Sequence, residues 1–243
     1  MTHRISTSRS FLIVLLLSWA TLVSAQQEQK PFNYGFVSPN TKINLKLEQA
    51  IAGMKSDDEA KLVNKAVNLG CVVRTRITAY RALGSWSDGA EHSVMVRVRG
   101  DEPTLRYVLS RMGRDAEQKY VIYFHPNVNG KVDLYTLRAR TRARSLVALS
   151  GELERAGIPF STIVPTRDTT AVYIIDLDRD LREKILNAAR KLRARVSQEP
   201  GTAQLFGDDL REKAKLKFEQ EIKEYEIKNP NLPPTCDVKK KRN

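Results

Sequence analysis

The densest collection of reactive side chains lies between Gly84 and Ser93, where Trp86, Asp88, Glu91 and His92 stand among Ser85, Ser87 and Ser93. Two nearby acids beside an indole that would stack on a sugar ring are the ingredients of a glycosidase. Asp88 and Glu91 would then divide the acid and base roles. The same stretch supports acyl transfer if an acid orients His92 toward one of the serines. Against both stands an ordinary account, in which Asp88-Gly89 is a turn and Glu91-His92-Ser93 is a strand entrance. Catalysis by Asp88, Glu91 and His92 is therefore the alternative expectation, that of a small secreted hydrolase. His92 and His125 fall at opposite edges of the expected sheet, and no His-Glu-x-x-His or clustered cysteine spacing occurs, so no metal is predicted. Gly84, Gly89 and Gly100 are spaced too irregularly for a phosphate-cradling loop, and no cofactor is predicted.

The leading expectation is binding. Strand phase assigns Arg97, Arg99, Tyr123, His125 and Tyr135, with Asp133 and Tyr173, to one uncovered side of a sheet. Rings and guanidinium groups sharing a face would stack and hold anionic groups. Arg138, Arg140, Arg142 and Arg144 alternate around a helix start, with Arg140 and Arg144 one turn apart. RNA-binding sheets use the same physics, but their two short RNP patterns are missing here. The expected protein is thus an exported, non-enzymatic binding or accessory protein that contacts an acidic or amphipathic envelope component. A structural alternative makes the same face an interface between copies, in a homo-oligomeric envelope protein, or a bed for the last helix.

Composition supports the choice of partner. Arg4 and Arg9 precede the apolar run Phe11 to Leu17, and Val23-Ser24-Ala25 offers small residues for cleavage, which together read as a secretory signal peptide over residues 1–25. Without Arg4 and Arg9, 39 Lys and Arg remain against 28 Asp and Glu, a net charge of +11. Such an excess attracts polyanions, and export to the periplasm or the exterior makes nucleic acid the least available of them. Cys71 and Cys236 are the two cysteines. An oxidising compartment would permit them to pair. Burial of Cys71 as a small hydrophobe is an equal alternative.

The elements that must position these groups follow from periodicity. Residues 26–70 read as an irregular lead-in followed by helices, with Ser56 and Glu59 at capping-box spacing. Strands are expected over Val72 to Tyr80, Glu91 to Val98, Tyr120 to His125, Lys131 to Leu137, Phe160 to Val164 and Ala171 to Asp176. Helices are expected from about Asp101, Ala139 and Asp178, each with apolar residues at three-and-four spacing. The order from Glu91 to Ile175 is β-α-β-β-α-β, which predicts an α+β fold: a ferredoxin-like split βαβ sandwich over 71–197, its antiparallel sheet covered on one face. Pro200-Gly201 marks a linker that opens 198–228, which ends in an amphipathic helix, and 229–243 reads as a flexible basic tail.

Overall fold

The computed structural model describes residues 32–38, 57–86, 89–140, 144–158, 162–165, 169–177 and 180–233. The expected signal peptide and the end of the basic tail lie outside them. In chain order the elements are β1 (Phe32–Val37), α1 (Asp57–Val72), β2 (Ile77–Trp86), β3 (Gly89–Arg99), α2 (Glu102–Asp115), β4 (Tyr120–Pro126), β5 (Val132–Ala139), α3 (Arg144–Arg155), β6 (Thr162–Pro165), β7 (Thr170–Asp176), α4 (Arg182–Lys191), β8 (Arg195–Gly207) and α5 (Arg211–Lys228).

The strands form a closed antiparallel barrel in the order β1-β3-β2-β6-β7-β5-β8-β4. This overturns the expected open sandwich. The window from Glu91 to Ile175 straddles two successive β-α-β-β-α-β units, β1 to β4 and β5 to β8, and contains neither complete. Two strands close the structure, and both fall in segments expected to be irregular. The lead-in contains β1, which pairs with β3 and β4. The expected linker lies inside β8, a 13-residue strand hydrogen-bonded to β4 on one side and β5 on the other. Leu83 opposite Ile163 closes the remaining seam between β2 and β6.

Closure has a simple driving force: each half-sheet has an apolar inner face that would otherwise meet water, and joining the halves gives every strand a neighbour on both sides, though β2 and β6 meet only at Leu83 and Ile163. Phe36, Met95, Phe124, Leu134, Val164 and Tyr173 meet inside the barrel. Outside, α1, α2 and α5 cover the first half through Leu62, Leu105, Leu109, Met112, Phe218 and Ile222. Leu146, Leu149, Leu153, Ile185 and Ala188 of α3 and α4 cover the second. The last helix therefore packs on the outer side, beside α2, and not over an open sheet face. Tyr107 and Tyr225 stack at 4.4 Å, Arg111 pairs with Glu226 at 3.3 Å, and Arg106 pairs with Glu221.

Local sequence explains the joints. Asp101 caps α2 by accepting from the Thr104 amide at 3.0 Å, with Pro103 in the first turn where its missing N–H does no harm. All four α-to-β connections end in the same way, with one left-handed residue two positions past the helix: Arg74, Glu117, Gly157 and Arg193. The amide of the following residue bonds back to the fifth carbonyl before it, as in Thr75 to Gly70 and Gln118 to Gly113, both at 2.9 Å. Glycine is required where β8 crosses β4, because a Cβ at Gly201 would run into the Phe124 ring and the His125 carbonyl. Among the described residues no helix is long and apolar enough to cross a membrane.

Candidate anion site at the barrel mouth

Successive residues of a strand face opposite sides, so the barrel sorts its polar groups by phase. On β3, Val94, Val96 and Val98 pack under the helices, and Met95 packs inside. Arg97 and Arg99 share the phase of Met95 and so face the interior. Pairing then assigns their neighbours. Tyr34 of β1 and Thr78 of β2 lie opposite Arg97, and Phe32 lies opposite Arg99. In the second half, Arg138 lies opposite Arg195 and Ala171, while Glu199 lies opposite Leu134.

These two groups of residues meet at one end of the barrel. The Tyr34 and Tyr173 rings stand 5.9 Å apart, and both tyrosines feel the charges of Arg97 and Arg138. Arg138 donates to the Tyr173 hydroxyl, and the Tyr34 hydroxyl donates to the Glu199 carboxylate. The Arg97 guanidinium lies 4.2 Å from the Phe32 ring centre and 5.6 Å from that of Tyr34, and Arg99 lies 5.2 Å from Phe32. Stacking of this kind holds the guanidinium planes in place before any ligand arrives. Arg97 Nε is buried and, among the described residues, has no hydrogen-bond partner. That is an unmet donor on a permanent cation.

The electrostatics match this geometry. Burial pushes the Tyr34 hydroxyl up to about 12, reinforced by the Glu199 carboxylate and opposed by Arg97. Tyr173 is raised chiefly by burial as well, with Arg97 and Arg138 opposing. Burial also raises Glu199, against the pull of Tyr34 and Arg97. Beneath the cluster the barrel is plugged: Tyr34 and Phe124 rings lie 6.2 Å apart, Phe36 and Tyr173 6.5 Å, and Met95, Phe124 and Leu134 are buried. The cationic groups thus sit at one end of the barrel, above buried aromatic and aliphatic side chains.

The expected open face does not exist as such. Of its members, Arg97, Arg99 and Tyr173 do come together, but inside the barrel. Tyr123 (3% exposed) and Tyr135 (1%) lie outside it, beneath helices. The Tyr123 hydroxyl, with a single proton to give, lies against Glu102 at 3.1 Å and Gln204, and burial pushes it up to about 12. His125, in the same phase, is hydrogen-bonded through Nδ1 to Asn33, whose amide donates to the Gly100 carbonyl at 2.6 Å. Tyr135 packs with Leu137, Leu149 and Ile174. These are packing residues, and solvent does not reach Tyr123 or Tyr135. Arg140 is exposed just beyond β5. Arg144 begins α3, and its side chain lies outside the described residues.

The hydrolase constellation also comes apart. Glu91 shares the inward phase of Met95, while His92 faces outward with the valines, so the two cannot act on one substrate atom. The Asp88 and Trp86 side chains lie outside the described residues. What His92 meets is Glu59 of α1, with Nδ1 3.2 Å from Oε1. Glu59 is fully buried, with Arg81 Nε at 4.0 Å from Oε2, and burial pushes its carboxyl up to about 7 against the pull of Arg81. Neither Glu59 oxygen makes a hydrogen bond among the described residues, and Ser56, the other half of the expected capping box, lies outside them. Among the described residues, no group of three or more His, Cys, Asp or Glu is placed to hold a metal ion. Cys71 is disulfide-bonded. Cys236 lies outside the described residues, though the chain preceding it runs near the end of α1, where Arg74 donates to the Asn231 carbonyl at 3.4 Å.

Tyr34, Glu199 and Tyr80, a charge neighbour of Tyr173, are not among the expected site residues, and Glu59 is expected only as a helix cap. The alternation Phe32-Asn33-Tyr34-Gly35-Phe36 was the available signal for the first of these. Arg195-Val196-Ser197-Gln198-Glu199 carries a weaker signal of the same kind.

No protein-family model and no curated protein sequence matches the chain. Among solved structures it is similar to the small subunit of acetolactate synthase from Thermotoga maritima, at 13% identity over 72% of this chain and 96% of that one, with a TM-score of 0.25. At that score the likeness carries no conclusion about fold or function.

Proposed function

We propose that this is an exported, non-enzymatic binding protein that takes the acidic group of its partner, a small envelope or extracellular anion, into the mouth of the barrel. The observation that carries the reading is the pairing of Arg97 and Arg138 around Tyr34 and Tyr173, with Glu199 as the nearby carboxylate and Arg97 Nε unmet. A guanidinium fork fits a planar or tetrahedral oxyanion, and its fixed charge keeps the site cationic at every physiological pH. Arg99 and Arg195 at the rim extend the field outward and favour encounter with anions. Export is supported by the basic and apolar start of the chain and by the disulfide at Cys71, which suits an oxidising compartment.

The test is calorimetric titration with small oxyanions at low and moderate ionic strength. Binding should weaken as salt rises, because part of the attraction is long-range. R97Q and R138Q should each weaken it by about 2 kcal/mol, roughly 30-fold in Kd, the scale of one charge-assisted hydrogen bond. R140Q, outside the mouth, should change it less than about twofold. Equal effects at Arg140 and Arg97 would mean a diffuse surface field and no site.

A further inference from the structure

Resting on that reading, we propose that the site selects oxyanions that still carry a proton, the chemistry of hydrogen phosphate and phosphomonoesters, and turns away fully ionised ones of the same shape, with Glu199 as the discriminating residue. A mouth built only for negative charge would hold donors alone. This one sets an acceptor among them: Glu199 faces inward from β8, receives the Tyr34 hydroxyl and lies within reach of the Arg97 charge. A carboxylate has acceptor capacity beyond a single hydroxyl. Among the described residues, the other charged or titratable groups facing this cluster are Tyr173, Tyr80 and Arg138, with Arg99 and Arg195 at the rim.

An anion held by Arg97 and Arg138 is therefore brought close to a second negative group. A protonated phosphate oxygen turns that contact into a hydrogen bond, with the P–O–H donating to the Glu199 carboxylate. Sulfate has no proton to offer and meets like-charge repulsion at the same point. Selectivity then comes from a penalty against the wrong ligand as much as from attraction to the right one. A site with a half-buried acceptor rejects an isostere lacking the donor far more strongly than size or charge alone would. The raised position of Glu199 is consistent with a carboxylate short of donors until a ligand supplies one. Because buried aromatic and aliphatic side chains lie beneath the cluster, only the head of a ligand enters, and the two sources of a phosphate group are distinguished by using both as probes.

The experiment is calorimetry on the full chain at about pH 6.5, where phosphate groups keep at least part of their last proton and sulfate keeps none. Two isosteric pairs are compared: inorganic phosphate with sulfate, and phenyl phosphate with phenyl sulfate. The wild type should bind the phosphate member of at least one pair about tenfold or more tighter than the sulfate member, and the pair that does so identifies the source. E199Q should reduce the ratio to about twofold or less, chiefly by admitting sulfate. Y34F, which removes a competing donor and leaves the carboxylate in place, should keep or widen the ratio. Equal binding within both pairs by the wild type, an undiminished ratio in E199Q, or loss of the ratio in Y34F would each overturn the inference while leaving an oxyanion site in place. No binding of any of the four probes would overturn the proposed function itself, and this inference with it.

Discussion

Glu59 should make the protein less stable as the solution becomes more basic, and replacing it should abolish that dependence. Its carboxyl is fully buried on the inner side of α1, with His92 at 3.2 Å and Arg81 at 4.0 Å, and is pushed up from 4.5 to about 7. A carboxylic acid raised by folding favours the folded state fully below its unfolded value, and that contribution is lost as pH climbs through the folded value. The window is therefore about pH 4.5 to 7. The rise from 4.5 to about 7 corresponds to roughly 3–3.5 kcal/mol. In a chain of this size that is roughly 6–14 °C in Tm. Glu59→Gln keeps the shape and carries no charge, so its stability should match the wild type near pH 5 and exceed it at pH 8 by up to about 3 kcal/mol, less whatever the buried amide leaves unsatisfied. Urea denaturation of both proteins at the two pH values measures the difference. Equal stability loss in E59Q and wild type between pH 5 and 8 would show that Glu59 stays ionised and well paired with His92 and Arg81, and would refute the reasoning.

Other consequences follow from the packing. Gly201→Ala places a methyl against the Phe124 ring and the His125 carbonyl, and should destabilise by about 2 kcal/mol or more in chemical denaturation, because the obstruction includes backbone. Glu117→Gly removes the side chain from an exposed left-handed position and should stabilise by roughly 1 kcal/mol, read as a rise in Tm. Phe218→Ala empties the point where α5 meets α2 and should cost about 3–4 kcal/mol, with faster hydrogen exchange in α5 than in β3 or β5.

Much of the local structure was legible and the closure was not. The β4–β5 pair and the helix that starts at Asp101 announce themselves by period and by the Asp101-Glu102-Pro103 start, but β2 does not: the strand expected over Val72 to Tyr80 is the end of α1 and a turn as far as Arg76, and β2 runs through the expected loop from Ile77 to Trp86. β1 was hidden because Asn33 and Gly35 interrupt its apolar run. Asn33 is buried and bonded to His125 and Gly100, and Gly35 is needed because a Cβ there would meet Leu109. β8 was hidden because its inward residues at the mouth are Arg195, Ser197 and Glu199, so polarity marks the barrel interior where an open sheet would have solvent. Face assignment worked on β3, where valines oppose arginines. On β4 and β5 the phase is the opposite, because Ile122 and Phe124 enter the barrel while Tyr123 lies under helices and His125, in the same outward phase, meets Asn33. Strands covered on both sides lose the polar and apolar alternation that fixes phase. The cationic mouth was therefore visible as a composition of Arg and Tyr, but only the closed topology shows which of them meet.

The most direct measurement of the central claim is the resonance of the Arg97 Nε–H during titration with inorganic phosphate, observed by nitrogen-edited NMR and assigned by its disappearance in R97Q. This buried donor, unmet in the free protein, should move downfield and exchange more slowly with water as the anion accepts its hydrogen, in step with the calorimetric saturation. If phosphate shifts exposed arginines such as Arg140 and leaves Arg97 unmoved, the barrel mouth is not where the anion binds.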